Sequence, residues 1–164
     1  MTATFQRPSL VVEAVRSALS QEGPRVEVIV VDDDPAASAK AAVEAIGDAR
    51  VSYVVREKTS GGVPALVYND GLARAQGKTV LFLDDDDVLE PGAFKLLFEA
   101  LEQKPEAAFA FGRTEPFGGA PDVMVHEMAF FLDASSRARN ARSAGTRYLL
   151  AQLLFGSTLF VVSS

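Results

Sequence analysis

Four consecutive carboxylates, Asp84–Asp87, follow directly on the apolar run Thr79–Leu83 (TVLFL). A second acidic group, Asp32–Asp34, ends the run Val26–Val31 (VEVIVV). Like charges this close repel, and holding them beside an apolar strand is costly unless a cation or solvent relieves the repulsion. With no cysteine and His126 as the only histidine, thiolate zinc sites and histidine-rich centres are excluded. Any metal must then be held by oxygen, which selects magnesium, manganese or calcium. A charge run taken alone reads as a solvated turn capping the next helix. Its position at the end of the most strand-like segment, with the motifs that accompany it, favours a site: ligands of open α/β sheets bind beyond the carboxyl ends of the strands.

The elements that must position these acids show in the hydrophobic pattern. Val26–Val31 and Thr79–Leu83 are continuous apolar runs suited to strands covered on both faces, and Val51–Val55 and Ala107–Phe111 are weaker candidates of the same kind. Between them, Val12, Val15 and Leu19 share a helical face, as do Ala39, Ala42, Val43 and Ile46, and Phe94, Leu97, Phe98 and Leu101. Asp34-Pro35 and Glu90-Pro91 read as helix starts, with Asp34 as an N-cap. The alternation predicts an α/β layered domain, a mostly parallel sheet flanked by helices. Gly112–Asp122 reads as a loop, Val123–Leu132 as a strand, Ser135–Arg147 as a mobile or helical segment carrying four arginines, and Tyr148–Phe155 as a short helix before the apolar run Ser157–Val162. The division expected is a ligand-binding subdomain over residues 1–112 and the start of a second region over 113–164.

Composition narrows the function classes. The chain has 164 residues, enough for one cored domain, and a formal net charge of −6, which argues against nucleic-acid binding. No apolar run approaches the roughly 20 residues that span a bilayer, and MTATFQRPSL has no signal-peptide core, so a cytoplasmic location is expected, with the inner face of a membrane as an option.

Four ordered motifs resemble family 2 glycosyltransferases of the GT-A fold. Thr4-Phe5-Gln6-Arg7-Pro8 is similar to the family's T-Y-N-R-P turn, and Val30-Val31-Asp32-Asp33 to its V-V-D-D segment. Gly61-Gly62-Val63-Pro64-Ala65 with Asn69-Asp70-Gly71-Leu72 is similar to G-x-x-x-A-R-N-x-G-L, and Phe82–Val88 with Pro91 to the D-x-D-D segment. The resemblance implies a GT-A-like fold and inverting transfer of a sugar from a nucleoside-diphosphate donor, a UDP-sugar foremost, to a hydroxyl of a saccharide or lipid-linked acceptor. It implies that Thr4 and Phe5 line the base pocket, that Asp33 hydrogen-bonds the base, and that Asp84 and Asp85 reach the ribose or sugar. Asp86, with Asp84, would hold Mn2+ or Mg2+, which would bridge the diphosphate.

The match departs from the family in three places. Only Met1-Thr2-Ala3 precede Thr4 where a whole opening strand is expected, A-R-N reads Val67-Tyr68-Asn69, and the acid that serves as catalytic base is expected beyond Ser164, in a C-terminal half this chain lacks. Glu115, Asp122 and Glu127 are the nearby acids that could substitute, so transfer by this chain alone is doubtful. Loss of the first strand would bare two sheet edges that a partner copy could fill, making a homo-oligomer an option. The rival from another class is a phospho-acceptor receiver domain, suggested by Asp32-Asp33-Asp34-Pro35, Asp84 and Lys104-Pro105. A nucleotidyltransferase fits less well because no basic Gly-rich loop opens the chain, and an inactive fragment is the plainest reading.

Overall fold

A computed structural model describes residues 1–107, 109–112, 114–141 and 161–163. The chain forms two units, Met1–Ala110 with Phe160–Ser164, and Phe111–Leu159.

In the first unit, β1 (Thr2–Thr4), β2 (Val28–Asp32) and β3 (Val51–Val55) make a parallel sheet in the order β1-β2-β3, with Thr2 opposite Val30 and Val28 opposite Val51. Every residue of β2 is buried, as its continuous β-branched run requires of a strand covered on both faces. β4 (Thr79–Leu81) and β5 (Phe109–Ala110) flank β6 (Val161–Ser163), which runs antiparallel to both. The opening strand, for which the sequence left few residues, is formed in short: Thr2–Thr4 pairs with β2. Met1 carries the hydrogen bonding across to the end of β4, its α-amine donating to Leu81 O (2.8 Å) and its carbonyl accepting from Leu83 N (2.9 Å). The inner edges of β2 and β4 are thereby bridged, which removes the ground for expecting a partner's strand there.

α1 (Pro8–Leu19) starts with Pro at its first position, where the missing N–H costs nothing, and buries Val11, Ala14, Val15 and Ala18 at helical spacing. α2 (Lys40–Glu44) is short and buries Val43. α3 (Pro64–Leu72) runs unbroken through Gly71, where a Cβ would come within 2.5 Å of the Met1 sulfur, so the glycine lets the helix lie close to the first strand. α4 (Ala93–Glu102) presents Leu97 and Leu101 inward, and Gly92 before it sits at φ 83°, a conformation that favours glycine. One core cluster gathers Ile29, Val31 and Val67, with Met1, Ala3, Val54 and Ala75 packed on it.

The structure corrects two readings made from sequence alone. Asp34-Pro35 does not start a helix: residues 33–39 form turns, with Ala37 at φ 55°, and α2 begins only at Lys40. The second correction is Val123–Leu132, which is not a strand but part of α5 (Pro121–Ala141), in the second unit. Short apolar runs do not separate the two states by periodicity, but Pro121 at the start and Asp122 in the first turn are helix-start signals. On α5 His126 is exposed, as is Val125 at 73%. Arg142, Arg147, Tyr148–Phe155 and residues 157–160 lie outside the described residues. No described helix is long and apolar enough to cross a membrane.

Candidate functional site

The ends of β1, β2 and β4 open into a cavity of about 400 Å³ whose lining includes Thr4, Phe5, Asp33, Asp84, Asp85 and Asp86. All six residues singled out from the sequence are therefore brought together, although Thr4 and Asp85 stand 81 positions apart. Arg7, Ser60 and Val67 line the same cavity.

The acidic loop after β4 is tied from both sides. Thr4 Oγ1 donates to Asp85 Oδ2 at 2.7 Å, and Arg7 Nη1 donates to Asp85 Oδ1 (3.1 Å) and Asp86 Oδ2 (2.9 Å). Between those two donors Gln6 sits at φ 56°, a left-handed conformation that costs a residue with a long side chain roughly 1 kcal/mol and turns Arg7 back toward the acids. From α3, Tyr68 donates its hydroxyl to Asp84 and lies edge-on to Phe82, with ring centroids 4.8 Å apart. Burial, and then Asp84, hold the Tyr68 phenol well above its ordinary range, so it stays a donor at neutral pH. Behind the loop, α1 supplies Ser17, whose Oγ accepts from Leu89 N (3.0 Å), and just past the helix Gln21 donates to Glu90 O (3.0 Å) and accepts from Phe94 N (3.2 Å). Asp85 is buried and Asp86 exposed. Asp87 is pushed up to about 6 by burial and by its neighbours Asp84, Asp86 and Asp85.

At the end of β2 the two acids divide the work. Asp32 is fully buried: its Oδ1 accepts from Asp34 N (2.9 Å), and its Oδ2 from Ala39 N (3.0 Å) and Tyr53 OH (2.6 Å). It holds the turn leading to α2, the task assigned from sequence to Asp34, whose carboxylate instead accepts from Ala36 N. Asp33 receives four donors: Arg56 Nη1 (2.8 Å) and Ser60 N (2.7 Å) on Oδ1, Thr59 Oγ1 (3.0 Å) and Ser60 Oγ (2.7 Å) on Oδ2. Arg56 also donates from Nε to Asp70 Oδ2 at 2.6 Å.

Burial raises the Asp33 carboxyl, but the donors from Ser60, Arg56 and Thr59 outweigh it and hold the group below its ordinary value of 3.8. The folded state therefore favours the ionised form. That contribution is complete above the unfolded-state value and is lost as pH falls through the lower folded value. Urea midpoints are expected to drop with acid below about pH 4, and Asp33→Asn to flatten that part of the profile. An unchanged slope in the variant would show that the network does not bind protons as described.

Arg7, Arg56, Ser60 and Tyr68 were given no role from sequence, and Asp32 only one in the receiver reading. Arg7 and Tyr68 stood in quoted motifs, one as a match and one as a departure, and only the pairing across the sheet gives them partners.

The donor set can be tested against a divalent cation. Among the described residues no three His, Asp or Glu side chains converge on one point, so these residues supply no complete cage. Asp84 and Asp86 are both exposed at the cavity, and a guanidinium already stands against Asp86. Hard cations keep water and share phosphate ligands, so two carboxylates suit a metal completed by a diphosphate.

The model for glycosyl transferase family 2 matches residues 1–162. The succinoglycan biosynthesis protein ExoO of Rhizobium meliloti is 36% identical over 99 residues, covering 60% of this chain and 28% of that protein. The GalNAc(5)-diNAcBac-PP-undecaprenol beta-1,3-glucosyltransferase of Campylobacter jejuni is 36% identical over 98 residues, covering 58% of this chain and 31% of its own length. The chain thus spans about a third of the length of these curated relatives. Among solved structures, S. aureus TarS 1-349 in complex with UDP-GlcNAc superposes with a TM-score of 0.61 at 24% identity, over 73% of this chain and 35% of that one, a likeness of fold.

Proposed function

The chain belongs to glycosyltransferase family 2, and on that premise we propose that its first unit binds a nucleoside-diphosphate sugar, with uracil as the base, for inverting transfer to a hydroxyl of a saccharide or lipid-linked acceptor. The observation that carries this reading is the convergence of Thr4, Phe5, Asp33 and Asp84–Asp86 on one cavity at the carboxyl ends of the strands. A fold neighbour holding UDP-GlcNAc supports the donor class.

Each side chain then has a task. Thr4 and the half-exposed Phe5 border the base, and Asp33 accepts from its one N–H group. A carboxylate offers about four acceptor positions, and the four donors on Asp33 fill them, so a base must take the place of one donor from the Thr59–Ser60 loop. Asp84 and Asp85 face the ribose and sugar, and Asp86 with Asp84 would hold Mn2+ or Mg2+. Such a cation would offset the charge that develops on the departing diphosphate. The acceptor hydroxyl needs a general base. Glu115, Asp122 and Glu127, the acids considered for that task, belong to the second unit. Nothing in the comparisons favours a receiver domain, and the oxygens of Asp32, one of the acids that reading would give to magnesium, are taken by backbone and tyrosine donors. We place the reaction on the cytoplasmic side, with residues 113–164 on the acceptor side.

Thermal unfolding with UDP, GDP and TDP, each with and without Mn2+, tests the reading. One nucleotide, UDP, is expected to raise the midpoint and to do so more with metal. A cooperative transition that no nucleotide moves would overturn it.

A further inference from the structure

We propose that Arg7 is a tethered counter-cation of the acidic loop, which a divalent metal must displace from Asp86 while Arg7 stays paired with Asp85. The inference rests on the nucleotide-sugar reading above and deepens it.

The geometry is a single guanidinium nitrogen shared between two acids of different surroundings. Toward Asp85 the partner is buried, its side chain 8% exposed, and Thr4 Oγ1 holds its second oxygen. Toward Asp86 both side chains are open to water, 51% and 55% exposed, at 2.9 Å. An ion pair in that second setting contributes little because water competes for both partners, whereas parting Arg7 from Asp85 would leave a buried charge short of a donor. The Asp86 arm is therefore the one that yields. Without Arg7, the side-chain donors among the described residues that meet the acids at 84–86 would be the hydroxyls of Thr4 and Tyr68. The arginine thus lowers the repulsion in the empty site and occupies the carboxylate that a metal needs.

Arg7 is in this sense a positioning residue, and its signature lies in metal affinity rather than in turnover. The experiment titrates Mn2+ alone, without nucleotide, into the full chain at low salt, and follows free Mn2+ by electron paramagnetic resonance. Arg7→Ala is expected to bind Mn2+ about fivefold or more tightly than wild type, because a competing cation and its repulsion are gone. Arg7→Lys keeps the charge and is expected to stay near wild type. The gap between Arg7→Ala and wild type should shrink in 0.5 M salt, about where screening reaches only a few ångströms. Circular dichroism melts establish that each variant is folded. Binding in Arg7→Ala equal to or weaker than wild type, while wild type binds Mn2+, overturns the role of Arg7 and leaves the donor-site reading standing. Absence of Mn2+ binding in wild type with and without UDP overturns the role of Arg7 and the metal assignment, while the shift of the unfolding midpoint by UDP alone decides the donor-site reading separately.

Discussion

Asp32→Ala is expected to lower the unfolding free energy by about 3–5 kcal/mol, the summed cost of leaving several buried donors without a partner. The carboxylate is 0% exposed and serves three donors, two of them backbone N–H groups of the turn that enters α2. Alanine would leave Asp34 N, Ala39 N and the Tyr53 hydroxyl unpartnered where water has little access. Asparagine does not rescue it, since its amide end offers donors to atoms that are themselves donors. For a chain of this size the melting midpoint should fall by roughly 6–20 °C. The comparison that isolates the cause is Tyr53→Phe, which removes one donor and keeps the two backbone bonds; it should cost far less. Equal losses in the two variants would mean that Asp32 acts through Tyr53 and not through the turn.

A second large effect is expected in binding. Asp86→Ala should abolish the metal-dependent share of stabilisation by UDP. A ligand present at a hundred times its dissociation constant adds about 2.7 kcal/mol, which at this chain length is a shift of roughly 5–10 °C. In the variant, UDP with Mn2+ should do no more than UDP alone. The ligand-free midpoint should hardly change, since the Arg7–Asp86 pair is exposed on both sides and such pairs contribute roughly 0–1 kcal/mol. That contrast separates the two acidic groups: Asp32 supports the fold, and Asp86 is held ready for a ligand. A metal-dependent shift that survives in Asp86→Ala would move the metal to other residues.

Local signals carried much of the fold. The β-branched runs before Asp32 and over Val51–Val55 became strands within two residues of where the sequence placed them: β2 because a doubly covered strand must be apolar along its run, and β3, which is only partly covered, because its valines suit an extended backbone. The helical face of α4 followed from spacing, with Leu97 and Leu101 buried, whereas α1 buries Val11, Ala14, Val15 and Ala18, and of the face read from sequence only Val15 is fully covered. Reading failed where two elements share a local pattern: the apolar stretch within α5 suits strand or helix, and Asp34-Pro35 suits a helix start or a turn. There Asp32, from within β2, claims Ala39 N, and the helix begins after it.

The sequence by itself determined that an α/β chain carries acids at the ends of two strands, and so where a ligand would be sought. Run length, β-branching and charge are properties of neighbouring residues and need no knowledge of the rest of the chain. Only the tertiary structure decided what each acid does. Arg7 reaches Asp85 and Asp86 across nearly 80 positions, Thr4 reaches Asp85 across 81, and Tyr68 reaches Asp84 from a different helix. Those pairings exist because β1 lies beside β2 in one register and Met1 bridges to the end of β4. Slipping β1 by one residue would turn the Thr4 side chain to the other face and uncouple the loop from it. Whether a carboxylate is a buried strut, a saturated anchor or an open ligand depends on such distant partners.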